Sequence, residues 1–357
     1  VILVVVGIIV IGIGVTAFVR PGANSFFPDR VESQTADKPL LATPETSPLI
    51  TASVATASPT STAERPATTE QARSTKIPDR RSPTAVPEPT IEPTVVVVPN
   101  ATAMSTPEPP PLVRFAVAGD IGTGDSYAYS VADSVGRSAA LLPFDGLIIL
   151  GDNVYPNGDP SRLEPTLFEP YGPILEGGAE LLPILGNHDV RDGNGDGQVE
   201  KLAIPGRWYA SEIRHVLFIG LDSTQPESAE QLIWLEQTLS ESDAKWKIAA
   251  LHHPPYSAGQ HGSDELMQES FVPIFEKYGV DLVLSGHDHD YQRSEPINGV
   301  TYIVSGAGSG TRPVSSEWFT EVSLSALHHL ELNIYEDEIM ILAIAVDDRV
   351  FDRSSIP

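Results

Sequence analysis

Five short clusters of carboxylate, amide and imidazole residues lie in the later two-thirds of the chain. They are Gly119-Asp120, Gly151-Asp152-Asn153-Val154-Tyr155, Gly186-Asn187-His188-Asp189, His252-His253-Pro254 and Gly286-His287-Asp288-His289. Carboxylate and amide oxygens together with imidazole nitrogens suit hard to borderline metals such as iron, zinc and manganese. Singly, each cluster is weak: a lone Gly-Asp usually marks a turn, a lone Gly-Asn-His a loop, and a His-x-His pair is more often structural than ligating. Their conjunction points to metal-assisted hydrolysis at more than one ion. The chain has no cysteine, which removes a thiolate metal site, a cysteine nucleophile and a disulfide framework from consideration.

Elements that bring such clusters together must each end at a cluster. Apolar runs at Arg114–Ala118, Leu147–Leu150, Leu181–Leu185, Trp246–Leu251 and Asp281–Leu284 stop at the five clusters in turn, and two more lie at Val216–Leu221 and Thr301–Val304. Short, continuous apolar runs bounded by turn residues read as buried strands. Between Glu230 and Leu239 a helical spacing puts Leu232, Leu235 and Leu239 on one face, which is packing. Leu327 to Val346 reads as a closing hairpin, turning at Glu336-Asp337-Glu338 before Ile339–Val346. The pattern predicts an α/β protein built around two sheets, with its ligands past the C-terminal ends of strands.

The rest of the chain divides by composition. Val1 to Val19 is apolar and uncharged, and as a helix would span roughly 28 Å, enough to cross a bilayer. Residues 1–20 are therefore expected to be a transmembrane anchor; small residues at Val15-Thr16-Ala17 keep a cleaved signal segment as the alternative. Residues 21–112 hold 17 Pro, 15 Thr and 9 Ser, and read as a disordered stalk. The Val95–Val98 run within it is a candidate lead-in strand without a role. Residues 113–357 form the globular, catalytic domain. Of the net charge of -26, residues 1–112 carry -2 and residues 113–357 carry -24. That excess argues against nucleic acid as a bulk partner but not against a small phosphorylated substrate, because bound metal reverses the field locally.

Taken in order, the five clusters resemble the metallophosphoesterase superfamily. The Asp152-to-Tyr155 spacing with His287-Asp288-His289 is similar to the purple acid phosphatase branch, in its small, tartrate-resistant form. The resemblance covers about residues 113–350 and implies a calcineurin-like fold of two packed mixed β-sheets flanked by helices. It implies that Asp120, Tyr155 and His289 bind ferric iron. Asn187, His252 and His287 would bind a divalent iron, zinc or manganese, and Asp152 would bridge the two. By the same resemblance His188 contacts the phosphate, and His261 stands near the leaving group. The implied reaction is hydrolysis of a phosphate monoester by metal-bound hydroxide; the apolar segment and stalk, on which the resemblance is silent, are what lead to the expectation that it takes place outside the cytoplasm at the cell surface. The same ligand set serves a phosphodiesterase or nucleotidase. A non-catalytic surface binding protein is the reading from another class, and the intact ligands count against it.

Weaker signals complete the reading. Asp192, Asn194 and Asp196 match the first half of a calcium loop, but Ala203 stands where a bidentate Glu is expected. Gly306-Ala-Gly308-Ser-Gly310 lacks the Gly-Lys-Ser/Thr of a phosphate-binding P-loop and is read as a loop bordering the metal site. His253 is read as a packing neighbour of His252, Tyr256 as structural or lining the substrate pocket, and His215, His328 and His329 as ordinary. The stalk holds no candidate ligand, so a chain beginning at Leu112 is expected to fold and turn over like the full chain. Loss of solubility or activity in the shorter chain alone would refute that boundary.

Overall fold

Strands that are apolar at every position, rather than at every second one, need cover on both faces. The computed structural model describes residues 109–191 and 193–357 and supplies that cover. The expected anchor, the stalk as far as residue 108, the Val95–Val98 run and Asp192 lie outside the described residues. Among the described residues no helix is long and apolar enough to cross a membrane.

Thirteen strands and six α-helices follow Leu112: β1 (Val113–Ala118), α1 (Ser126–Leu141), β2 (Gly146–Ile149), α2 (Glu169–Glu176), β3 (Glu180–Pro183), α3 (Asp196–Leu202), β4 (Tyr209–Ile213), β5 (Val216–Gly220), α4 (Ala229–Glu241), β6 (Trp246–Ala250), α5 (Glu265–Ser270), α6 (Val272–Tyr278), β7 (Leu282–Ser285), β8 (Tyr291–Ser294), β9 (Thr301–Ser305), β10 (Thr320–Leu324), β11 (His328–Ile334), β12 (Ile339–Ala345) and β13 (Val350–Ile356). They form two mixed sheets, ordered β13-β12-β11-β1-β2-β3 and β10-β8-β9-β7-β6-β5-β4. Strands β1, β2 and β3 run parallel in the first, and β5, β6, β7 and β9 in the second.

The period of two along each strand divides the core into three layers. Val113, Phe115 and Val117 of β1 meet Phe218, Ile248 and Leu284 between the sheets. Ala116 and Ala118 face the other way, onto Val131, Val135 and Ile174 of α1 and α2. The second sheet likewise packs Leu217, Ile219 and Val283 against Leu235, Met267 and Phe275.

Four strands escaped the sequence reading. β8 is polar (Tyr-Gln-Arg-Ser) yet wholly buried, because its side chains have partners: Arg293 Nε lies 2.7 Å from Asp352 Oδ2 and Gln292 accepts from Ala258 N. β4, β10 and β13 are sheet edges, half polar because one side meets solvent. β13 also corrects the expected closing hairpin: β11 and β12 do pair, Ile334 opposite Ile339, but β13 follows and makes the edge.

β1 also carries a buried ion pair. Arg114 donates to Glu331 Oε2 at 2.5 Å and to Asn333 Oδ1 at 2.7 Å, with its guanidinium over the Phe144 ring. Burial alone would raise the Glu331 pKa, but His329, Ser138 and Arg114 outweigh it and hold the carboxyl at about 2. A carboxyl whose folded pKa is depressed adds stability above its unfolded value, and that stability is lost as pH falls through the folded one. Glu331→Gln is therefore expected to flatten the loss of stability between pH 4.5 and about 2, read by urea denaturation at each pH. An unchanged acid limb in the variant would contradict this role.

Candidate metal centre

The parallel strands of both sheets deliver their C-terminal ends to one seam. His287 N donates to Asp120 Oδ2 at 2.9 Å, His252 Nδ1 meets Leu150 O at 2.8 Å, and Gly308 N reaches Gly119 O at 3.0 Å. Asp120 follows β1, Asp152 to Tyr155 follow β2, and Asn187 to Asp189 follow β3. His252 follows β6, and His287 to His289 join β7 to β8. Asp120, Asp152 and His287 have positive φ (57°, 51° and 71°), a left-handed backbone that costs non-glycine residues energy and persists where surroundings over-determine it. At Gly286 a Cβ would come within 2.5 Å of Asp120 Oδ2, so this position has room only for glycine.

The donor atoms fall into two groups. In one, the Tyr155 hydroxyl lies 3.1 Å from Asp120 Oδ1 and 3.2 Å from His289 Nε2, and those two are 3.5 Å apart. In the other, His252 Nε2 lies 3.2 Å from Asn187 Oδ1 and 3.5 Å from Asp152 Oδ1, with the His287 ring 5.1 Å from the His252 ring. Oxygen or nitrogen atoms of Asp120, from the first group, and of Asp152 and His252, from the second, all lie within 4.8 Å of one another.

Electrostatics favours a cation here. Asp120 and Asp152 are buried, and among the described residues no lysine or arginine lies within 4.0 Å of either. Buried carboxylates without a compensating positive charge are costly. Burial and then the charges of Asp120 and Asp152 push the Tyr155 phenol far above its ordinary pKa, so it ionises only beside a cation. Burial, then His252, His253, His261 and Arg312, pushes His287 far below its ordinary value, the neutral form that a metal ligand requires. At His252 burial acts downward, but the Asp152 and Asp120 charges outweigh it and raise the pKa. A donor set of carboxylate, phenol, amide and imidazole fits a metal cation.

Two further carboxylates hold the loops. Asp189 accepts five hydrogen bonds, from Asn153 N and Nδ2, Val154 N, Gly186 N and Gln198 Nε2. Burial and the Asp152 charge push its pKa up to about 7 against those donors. Asp288 accepts from Ser257 Oγ at 2.5 Å and from both the main-chain N and ring Nδ1 of His261 at 2.9 Å. Neither was given a role from sequence, although each adjoins candidate ligands within its motif.

The two expected substrate-facing histidines contact different members of the centre. His188 anchors Nδ1 on Pro156 O at 2.7 Å, sets its ring edge-on to Tyr155, and leaves Nε2 3.9 Å from Asp152 Oδ2. His261 stacks on His287 with ring centroids 4.1 Å apart. Beside it, His253, Pro254, His261, Leu266 and His287 line an open cavity of about 350 Å³. His253 donates or accepts at Ser223 Oγ, 2.9 Å away, and burial followed by the His252 charge takes its pKa down to about 4. Tyr256 packs on Tyr302 and Phe319. Gly306 abuts Asp120 Oδ2, placing the glycine-rich loop at the border of the cluster.

Other candidates lie elsewhere. Asn194 sits in a short turn with its carbonyl taken by Arg207, Asp196 opens α3, and Asp192 is outside the described residues. His328 and His329 are buried in β11, and His215 lines a cavity of about 510 Å³ at the strand starts, the opposite end from the clusters.

The sequence profile of the calcineurin-like phosphoesterases matches residues 113–291. Purple acid phosphatase 17 of Arabidopsis thaliana is 30% identical over 232 residues, covering 55% of this chain and 68% of the relative. Tartrate-resistant acid phosphatase type 5 of Oryctolagus cuniculus is 28% identical over 244 residues, covering 57% and 75%. The purple acid phosphatase of yellow lupin seeds superposes with a TM-score of 0.62 at 18% identity, over 68% of this chain and 53% of that one, a likeness of fold.

Asp189→Ala is expected to leave the main-chain N–H groups of Asn153, Val154 and Gly186 without acceptors, at roughly 1–3 kcal/mol each. Urea denaturation should report a loss of several kcal/mol, and metal uptake should fall because these loops carry Asp152 and Asn187. Unchanged stability would show that water or a neighbour replaces Asp189.

Proposed function

The chain belongs to the calcineurin-like phosphoesterase family, and on that premise we propose that it hydrolyses phosphate monoesters at two cations held by the strand-end cluster. As a relative of purple acid phosphatases it is a hydrolase of phosphate esters. The observation that carries the fuller reading is the burial of Asp120 and Asp152 beside His252, with no lysine or arginine within 4.0 Å among the described residues. Asp120, Tyr155 and His289 would hold one cation, ferric iron by analogy with the branch. Asn187, His252 and His287 would hold a divalent iron, zinc or manganese, with Asp152 shared. When bound, such a pair supplies Lewis acidity and a nucleophile drawn from water at mildly acidic pH.

The protein's own groups then orient the ester. His188 holds Nδ1 on a main-chain oxygen, which directs Nε2 toward the centre, where a phosphoryl oxygen would sit. His261 holds Nδ1 on the buried Asp288 carboxylate, which fixes Nε2 as the atom that passes a proton to the leaving oxygen. The open cavity beside His261 accepts the rest of the ester. Nothing in this scheme needs a covalent phosphoenzyme.

The apolar Val1–Val19 segment, the stalk and the lack of cysteine support a catalytic domain displayed at the cell surface, anchored or released after cleavage. The test of the function is metal content measured together with monoester and diester hydrolysis across pH. Stoichiometric metal without hydrolysis of either ester would leave the binding-protein alternative standing, and faster diester hydrolysis would overturn the monoester assignment.

Two sets of variants test the ligand roles. Asp152→Ala is expected to abolish hydrolysis and disturb both ions, whereas Asn187→Ala should mainly deplete the divalent ion; equal depletion of both ions in both variants would contradict this division. Iron-loaded protein is expected to be pink to purple through phenolate-to-iron charge transfer, and Tyr155→Phe to be bleached but folded. Active, iron-replete protein that lacks a visible band, or a coloured Phe variant, would exclude Tyr155 as a ligand.

A further inference from the structure

The domain from residue 113 onward carries 14 basic residues against 38 acidic ones, and most of its buried cations are matched by carboxylates. Arg312 is different. Its main-chain N donates to His289 O at 2.8 Å, which sets its Cα at the rim of the metal cluster. Its guanidinium NH1 lies 3.2 Å from His261 Nε2 and 3.4 Å from Nδ1. Among the described residues no carboxylate lies within 4.0 Å of it. Since Nδ1–H of His261 is committed to Asp288, the Arg312 contact is a donation to the lone pair of Nε2. One donor of five is thus used, on a neutral acceptor.

The loop that carries this arginine is stapled at both ends. Ser309 Oγ donates to Asp120 O, and Ser315 donates through both N and Oγ to Ala258 O at 3.1 and 2.9 Å. Pro313 follows directly and restricts the Arg312 backbone. The charge is therefore held beside His261 and His289, at the rim of the cluster.

Resting on the phosphoesterase reading above, we propose that Arg312 is the specificity-determining residue that binds the second negative charge of a phosphate monoester. A monoester dianion carries one charge more than a diester. A phosphoryl oxygen is a stronger acceptor for guanidinium than a neutral ring nitrogen, because the hydrogen bond is charge-assisted. Substrate binding transfers the guanidinium from His261 Nε2 to a non-bridging oxygen. That transfer also frees the Nε2 lone pair, which takes up a proton from water before Nε2 can donate it to the leaving oxygen. A diester, esterified where the arginine reaches, gains less from it.

The test compares nitrophenyl phosphate with bis(nitrophenyl) phosphate on the metal-loaded full chain, near pH 7, above the monoester's second ionisation at about 6. Arg312→Ala is expected to lower kcat/KM for the monoester roughly 10- to 100-fold, and for the diester less than about 3-fold. Arg312→Lys should recover part of the monoester rate, since it restores charge without the planar fork. Calorimetry supplies a readout free of turnover: affinity for orthophosphate should fall in Arg312→Ala while affinity for dimethyl phosphate holds. Equal losses for both esters, or a loss that tracks metal content or Tm, would overturn the proposal. Wild-type protein that hydrolyses neither ester but binds orthophosphate through Arg312 would sink the esterase reading and leave the arginine's role intact.

Discussion

Asp120 and Asp152 are two carboxylates buried close together, and among the described residues no lysine or arginine lies within 4.0 Å of either. Most of the architecture around them follows from keeping that arrangement in place. Like charges in a poorly solvated site repel, and a domain without metal gains nothing by holding them there. Their backbones take left-handed φ, and glycines at 186 and 286 let main chain press against their oxygens. Two sheets must pack face to face for the end of β1 to meet the turn after β7. The site is thus a property of the seam between sheets and of neither sheet alone.

A second pair of carboxylates does the positioning. Asp189 gathers N–H groups from the loops after β2 and β3, while Asp288 gathers the His261 loop. Both are fully buried and both are satisfied by donors from segments distant in sequence. Their loss would unfasten loops and not merely remove a charge. The histidines complete the arrangement: His252, His253, His287 and His261 form a run of ring contacts between 4.1 and 5.2 Å. Burial, and after it the neighbouring imidazoles, disfavours protonation of His253 and His287, which preserves the His287 lone pair for metal.

Charge is distributed unevenly at the mouth of the site. The domain as a whole is strongly acidic, yet Arg162 and Arg191 lie beside the Tyr155 loop, donating to Tyr155 O and Pro156 O, and Arg312 lies beside His261. All three use neutral acceptors, so their charge remains available to an anion. This local inversion lets an acidic protein receive a phosphate ester and discourages extended polyanions, whose further charges meet the acidic surround.

The ligand types, their order and their place after apolar runs were legible in the sequence because strand-end chemistry is local: a buried run, a glycine, then a donor. Two sheets and their central strands were legible for the same reason, since a strand covered on both faces is apolar throughout. Strand β8 was not, because a polar segment can be buried only where partners such as Asp352 and Ala258 arrive from elsewhere in the chain. Nor was the role of Asp189, Asp288 or Arg312. Sequence by itself determined which atoms this protein can offer a metal. Tertiary structure alone decided which carboxylates fasten the loops and which arginines keep their charge free near the site, because hydrogen-bond partners and uncompensated charge depend on distances between segments that no local pattern encodes.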